Sequence, residues 1–476
     1  MTTTPESSDG SSAVRLSRST SDVRPAAPVR IVHLGVGNFS RAHQAWYTDR
    51  ADDAADWGIA AFTGRSPAVA EALAPQDGLY TLITRGAEGD QFDLVASVSA
   101  VHPSDDHAAW LRLWSSPDVV VVTSTVTEAG YLRDADGRLD MARDDVRADV
   151  DALTGDPAAP VRTTPGRLVA GLLARRAAGA GGLTVVPCDN LPDNGPALAA
   201  VVGDLADAVD PTLSAWVADH VEFATTMVDR ITPSTSDEHR ELVREATGLV
   251  DEAPVPTEPF SEWVIEGGFP RGRPAWETAG ARVVDDVEPF EQRKLWLLNG
   301  AHSLLAYAGT IRGHETVADA IGDPECRGWV EEWWAEASRH LSLPVDDVAA
   351  YREALLDRFD NPAIRHALAQ IAADGSQKLS VRIVPTLRAE LPAGRVPTGA
   401  CRVVAAWVLH LRGAGAPVKD TLADDVLPLV SGSLEDAVGR VVEHLAPDLA
   451  GDERVREAVR SQAEVLAGGP AVPRRP

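Results

Sequence analysis

The stretch VRIVHLGVGNFSRAH, residues 29–43, passes from an apolar β-branched run through a Gly-x-Gly turn into a helical pattern. VRIVHL has the make-up of a buried strand, and Gly35 and Gly37 follow directly at its end. In a dinucleotide-binding unit the first glycine makes the tight turn and the second lets the backbone approach a pyrophosphate. The helix that follows offers N–H groups and the positive end of its dipole. Ser40 stands where the usual fingerprint has its third glycine, so two readings remain: a cofactor turn carrying Gly35, Gly37, Asn38 and Phe39, or a plain strand-to-helix turn. Its position on the first strand of an alternating region favours the cofactor turn.

Working outward, the candidate strands are VRIVHL (29–34), GIAAF (58–62), the alternating FDLVASVSAV (92–101), VVVVT (119–123) and LTVVP (183–187). Amphipathic segments such as HAAWLRLW (107–114) and GRLVAGLLARRAA (166–178) lie between them. This alternation predicts a mostly parallel sheet covered by helices on both faces. TGRSPA (63–68), after the second strand, has no carboxylate to bind the ribose hydroxyls of NAD and carries Arg65 instead. NAD is the expected cofactor, and NADP is not excluded. Beyond about Asp286, segments 290–308, 327–341, 361–373, 401–411, 434–444 and 454–467 have helical periodicity. The expected organisation is a mobile tail over 1–26, an α/β dinucleotide-binding domain over 27–285 and a mainly α-helical domain over 286–476.

The 44 basic and 71 acidic residues give a net charge of -27, which argues against nucleic acid or an anionic membrane as partner. Cys188, Cys326 and Cys401 are far apart, with no spacing that suggests a metal site. The sequence has neither a transmembrane-length apolar run nor a signal peptide, so a cytoplasmic location is expected. A monomer acting on a small molecule is compatible with the sequence.

Only three of the basic residues are lysine: Lys294, Lys378 and Lys419. One of them opens KLWLLNGAH (294–302), an apolar run that reads as a buried helix. At about 100° per residue, Lys294, Asn299 and His302 fall within an arc of about 140°. Taken singly, Lys294 could snorkel, Asn299 could cap a kink near Gly300 and His302 could be a core histidine. Together they suit proton abstraction from an alcohol, because burial disfavours the charged lysine and moves its pKa toward the range of a general base.

CDNLPDNG (188–195) places Asn190 at a strand end where ligands bind in open α/β sheets, and TSTVTEAGY (123–131) places Glu128 past another. In MVDRITP (227–233), Asp229 and Arg230 are an ion pair or a substrate contact. In DGSQK (374–378), Lys378 is a phosphate or hydroxyl contact or a solvated loop lysine.

These motifs, with EPFSEWVIE (258–266) and GRPAWE (272–277), run in the order found in the mannitol dehydrogenase family of long-chain polyol dehydrogenases, which the sequence resembles across roughly residues 29–412. The resemblance implies a Rossmann-type N-terminal domain, a helical C-terminal domain, catalysis between them and no metal. It implies Lys294 as general base, with Asn299 and Asn190 as amide donors to the developing alkoxide. His302 would position the substrate, Glu128 would lie on the proton path of the lysine, and Asp229 and Lys378 would line the sugar pocket.

Gln370 replaces the arginine of the mannitol 2-dehydrogenase branch and looks more like the fructuronate reductase branch, where Arg382 would meet a substrate carboxylate. Pro67 and Ala68 stand where members with strict NAD use tend to be acidic. The expected reaction is D-mannitol/D-fructose interconversion. Fructuronate reduction is the alternative, as is oxidation of mannitol 1-phosphate helped by Arg271 and Arg273. A non-catalytic dinucleotide sensor is disfavoured because Lys294, Asn190 and Asn299 are all present.

Overall fold

The computed structural model describes residues 14–468. The chain folds as two compact units, with the division between Val287 and Glu288.

Six parallel strands form the centre of the first unit: β1 (Val29–Leu34), β2 (Gly58–Phe62), β3 (Val98–His102), β4 (Val121–Ser124), β5 (Leu183–Pro187) and β6 (Val221–Phe223). Their order is β3-β2-β1-β4-β5-β6. Because β2, β4 and β5 are buried along their whole length, they read as continuous apolar runs, as strands covered on both faces must. Trp110, Trp114 and Leu168 belong to the core on one face, and Tyr47, Trp263 and Trp276 to that on the other. The direction of chain progression reverses between β1 and β4, which creates a crevice at their C-terminal ends.

His33 ties those two strands together, with Nδ1 2.8 Å from Thr123 Oγ1 and Nε2 3.2 Å from Thr125 Oγ1. Burial pushes the imidazole down to about 4, so it is neutral at physiological pH.

Two expectations for this unit are corrected. FDLVASVSAV is not one strand: Gly89–Val95 pairs with Tyr80–Gly86, whereas Val98–His102 joins the main sheet. The switch lies at Ala96 and Ser97, where Ala96 N–H donates to Asp49 Oδ1 (2.9 Å) and Ser97 Oγ to the carbonyl of Ala45 (2.7 Å). Alternation continues through such a switch because neighbouring residues still point to opposite faces. The second correction concerns the expected mobile tail, of which residues 1–13 lie outside the described residues. Val14–Arg15 pairs with Leu249–Val250, Leu16 is fully buried, and Arg18 donates to the carbonyls of Arg24, Ala96 and Val98. An ion pair between Arg24 and Asp49 (2.7 Å) fixes the segment further.

The second unit is helical. Thr398–Leu411 is buried at every position from Gly399 to Leu411, as a central helix should be. Only Leu368–Ile371 is α-helical within the expected 361–373 segment, while Val345–Phe359, absent from the expected set, forms a helix of 15 residues. Pro362 accounts for the stop, since it has no N–H and disfavours helical backbone at Asn361.

Candidate active site

Gly35 has φ +99°, and a Cβ built there would lie 2.1 Å from the carbonyl oxygen of Thr125, so only glycine fits. Gly37 differs: the nearest atom to an added Cβ is the Gly35 carbonyl oxygen at 3.8 Å. Protein packing therefore explains the first glycine and does not explain the second. Ser40 Oγ accepts from Gly37 N–H (3.0 Å), which uses one turn amide. The expected helix runs only from Asn38 to Ala42 before breaking at His43, so its dipole contributes less than a full helix would. Asn38 Nδ2 donates to the Pro233 carbonyl (2.8 Å) and Thr235 Oγ1 (3.0 Å), and Phe39 stacks on His43 at 5.0 Å. Arg65 is exposed in the loop after β2.

The ends of β4 and β5 are joined by a residue that no sequence motif marks. Buried Asp189 accepts from Val126 N–H (2.5 Å), Tyr131 Oη (2.7 Å) and Ser124 Oγ (3.3 Å). Burial raises its pKa to about 6 despite these three donors. Asp189 thereby fastens the loop bearing Glu128 to the strand end bearing Asn190, and both of those side chains are exposed. Asn194 supports the same strand end by donating to the carbonyls of Asp189 (3.1 Å) and Thr226 (2.8 Å).

Asp229 is buried at the end of strand Thr225–Asp229. Its neighbour Arg230 donates to the carbonyls of Glu258 and Ala42 and lies 4.7 Å over the Trp46 ring, which is a structural role. Arg271 and Arg273 do not form a phosphate site at the crevice. Arg271 donates to the carbonyls of Ala180 (3.0 Å) and Pro117 (3.1 Å), residues that precede β5 and β4 at the opposite edge of the sheet, and Arg273 pairs with Glu277.

In the second unit, Glu288–Arg293 continues into a π-type turn over Lys294–Asn299, an α segment over Gly300–Leu304 and another π turn over Leu305–Gly309. Gly300 N–H donates to the carbonyl of Leu295, five residues back. That pattern puts Asn299 about one turn from Lys294, so the two align more closely than regular α geometry allows. His302, three α residues further on, lies about 60° round from Asn299. Two indoles hold the wide turn: Trp333 Nε1 donates to the Trp296 carbonyl (2.9 Å) and Trp334 Nε1 to that of Leu297 (2.8 Å). Gly300 admits the first of these, since a Cβ there would lie 2.7 Å from Trp333 Nε1. Neither tryptophan was singled out from sequence, because nothing in WVEEWWAEA marks which helix it meets.

Lys294 and Asn299 are half-buried, and His302 is buried with its ring 5.0 Å from Phe359 and 4.9 Å from His366. Arg382 Nη1 is 3.2 Å from Ser303 Oγ and 3.4 Å from the Asn299 carbonyl oxygen, which sets a cation beside this polar helix. Lys378 Nζ donates to the carbonyl of Ala373 (2.5 Å) and Gln370 is exposed. Among the described residues His314, Asp323 and Cys326 cluster together, and Arg312 forms an ion pair with Asp323 (2.7 Å). None of the helices in the described residues is long and apolar enough to cross a membrane.

The mannitol dehydrogenase Rossmann domain profile matches residues 29–278, and the C-terminal domain profile matches 286–463. The chain belongs to the mannitol dehydrogenase family. Among its relatives is D-mannonate oxidoreductase of Escherichia coli (strain K12), 39% identical over an alignment of 394 residues that covers 81% of this chain and 80% of the relative. A D-sorbitol dehydrogenase crystallised in substrate-free form superposes with a TM-score of 0.87 at 30% identity, covering 96% of both chains. Mannitol 2-dehydrogenase of Pseudomonas fluorescens, in a ternary complex with NAD and D-mannitol, gives 0.76 at 33% identity, covering 96% of this chain and 95% of that one. This mannitol dehydrogenase family member is thus an oxidoreductase with a Rossmann-type dinucleotide-binding domain and a helical C-terminal domain.

Proposed function

We propose that the protein is a NAD(P)-dependent dehydrogenase that interconverts a polyol and its ketose, with D-mannitol and D-fructose as the pair. The observation that carries this reading is the π turn, which aligns Lys294 with Asn299. In the oxidation direction Lys294 Nζ takes the hydroxyl proton while hydride leaves the carbon that bears this hydroxyl. A bound nicotinamide supplies the hydride acceptor. Amide N–H groups of Asn299 and Asn190 stabilise the negative charge that develops on the substrate oxygen. His302 positions the substrate, Glu128 serves the proton path, and Asp229, Lys378 and Gln370 line the sugar pocket. Gly35, Gly37, Asn38 and Phe39 carry the dinucleotide.

The placement of Arg382 favours a second reading, reduction of a hexuronate such as fructuronate, because the guanidinium beside Asn299 would meet a carboxylate. Initial rates of NADH and NADPH oxidation against fructose, fructuronate and fructose 6-phosphate separate the two. Preference for fructose supports the first reading, and preference for fructuronate supports the second. Preference for fructose 6-phosphate contradicts both.

A further inference from the structure

At the end of β2 the structure has an arginine without an anion. Arg167 is buried (6% exposed), and its Nη1 donates to the Thr63 carbonyl (3.2 Å), the first residue after the strand. The guanidinium lies 4.7 Å from the Trp110 ring and 5.8 Å from that of Phe62. Its Nη2 and Thr63 Oγ1 are both buried without a hydrogen-bond partner. Burial alone pushes Arg167 down to about 10, with no carboxylate acting on it.

Acidic groups on the neighbouring elements serve other donors. Asp106, after β3, accepts from His102 Nδ1 (2.8 Å) and Ala109 N–H (3.1 Å), and Asp149 accepts from the N–H and Oγ1 of Thr163 (2.8 and 2.7 Å). A buried cation without a counter-charge is destabilising, so an anionic ligand at this place would be stabilising.

The exposed face of the same loop has matching chemistry. Arg65 makes no ion pair among the described residues, and Gly64 beside it has open space where a Cβ would be. In a dinucleotide fold the end of the second strand receives the adenosine ribose: a carboxylate there selects the free 2′-hydroxyl, and an arginine accommodates a 2′-phosphate. No carboxylate is present in TGRSPA.

We infer that the loop Thr63–Ser66, with Arg65 above it and Arg167 beneath, is a subsite for the 2′-phosphate of the cofactor, making NADP(H) a working cofactor of this protein. The inference rests on the dinucleotide reading of the Gly35 turn. Arg65 would meet the phosphate from solvent as a bidentate donor. Arg167 Nη2 would complete the site from below once the ligand draws the side chain toward the loop.

The test is calorimetric titration of the full chain with NADPH, NADH, 2′,5′-ADP, 5′-AMP and inorganic phosphate, together with kcat/KM for both reduced cofactors. The expected result is that 2′,5′-ADP binds at least about tenfold more tightly than 5′-AMP, and that NADPH supports turnover within about tenfold of NADH. Arg65→Ala should lower kcat/KM with NADPH at least about tenfold more than with NADH, and Arg167→Met should shift the ratio in the same direction. If Arg167→Met fails to fold, Arg65→Ala decides alone. NADH binding without NADPH binding would overturn the inference and leave the dinucleotide reading standing, and equal losses for both cofactors in Arg65→Ala would do the same. Binding of inorganic phosphate as tight as that of 2′,5′-ADP would reveal a simple anion site and overturn it as well. Binding of neither dinucleotide would contradict the dinucleotide reading itself.

Discussion

At Gly35 the chain leaves regular geometry because the Thr125 carbonyl lies where a side chain would go; at Lys294–Asn299 it does so while two indoles from another helix hold carbonyls of the turn. The first departure is written into the local sequence as a glycine. The second is written about forty residues away, in tryptophans whose partners only the folded unit reveals. Where the backbone itself is the obstacle, a motif shows it. Where tertiary partners hold an unusual turn, the motif shows the candidate residues and hides what aligns them.

The largest expected effect lies at the wide turn. Asn299→Ala should lower kcat about 100- to 1000-fold, the usual loss for one oxyanion donor, with little change in melting temperature. A loss below about threefold in single-turnover rate would remove Asn299 from the chemistry.

The glycine pair offers the next largest effect. Gly35→Ala should destabilise the first unit by about 2–3 kcal/mol, because it joins strain at positive φ to a clash with the Thr125 carbonyl. Gly37→Ala should melt like wild type yet raise the Kd for NADH, as a ligand-imposed glycine would. Calorimetric melts and cofactor titrations of the two variants check this, and equal melting losses would erase the distinction.

Trp334→Phe removes the indole donor to the Leu297 carbonyl and should cost about 1–3 kcal/mol, with kcat falling alongside because the turn relaxes. Chemical denaturation paired with initial rates measures both. If stability falls while kcat holds, the π turn is only structural.

Asp189 gives the smallest effect. Its folded-state pKa of about 6 lies above the ordinary carboxylate value, so the folded state binds the proton more tightly than the unfolded chain does. The corresponding stabilisation is present below that ordinary value and is lost as pH rises through about 6. Asp189→Asn should flatten this part of the stability–pH curve, read from urea midpoints between about pH 4 and 7.

Much of the first unit was legible because parallel strands covered on both faces leave uninterrupted apolar runs: VRIVHL and GIAAF match β1 and β2 residue for residue. The split of FDLVASVSAV was not legible, since alternation is blind to which sheet a strand joins. Leu16 is a single buried residue in a polar setting, too weak a signal to reveal an anchored segment. On the candidate site, rarity drew attention to Lys294 and spacing to Asn299 and His302. Asp189 lay beside Asn190 in the quoted motif, but its three donors come from residues 124–131 and no local pattern announces them. Arg167 was hidden for a similar reason, as an arginine within an amphipathic helix reads as surface until the packing around Phe62 and Trp110 is seen.

The central claim, that the π turn presents Lys294 as the base, is tested most directly by single-turnover rates of NADH-dependent fructose reduction in wild type and Lys294→Ala, with the Kd for NADH measured in parallel. The account predicts a rate loss of about 100- to 10,000-fold with a Kd within about twofold of wild type. A rate within about tenfold of wild type would contradict it, and the proton would then have to be carried by another group.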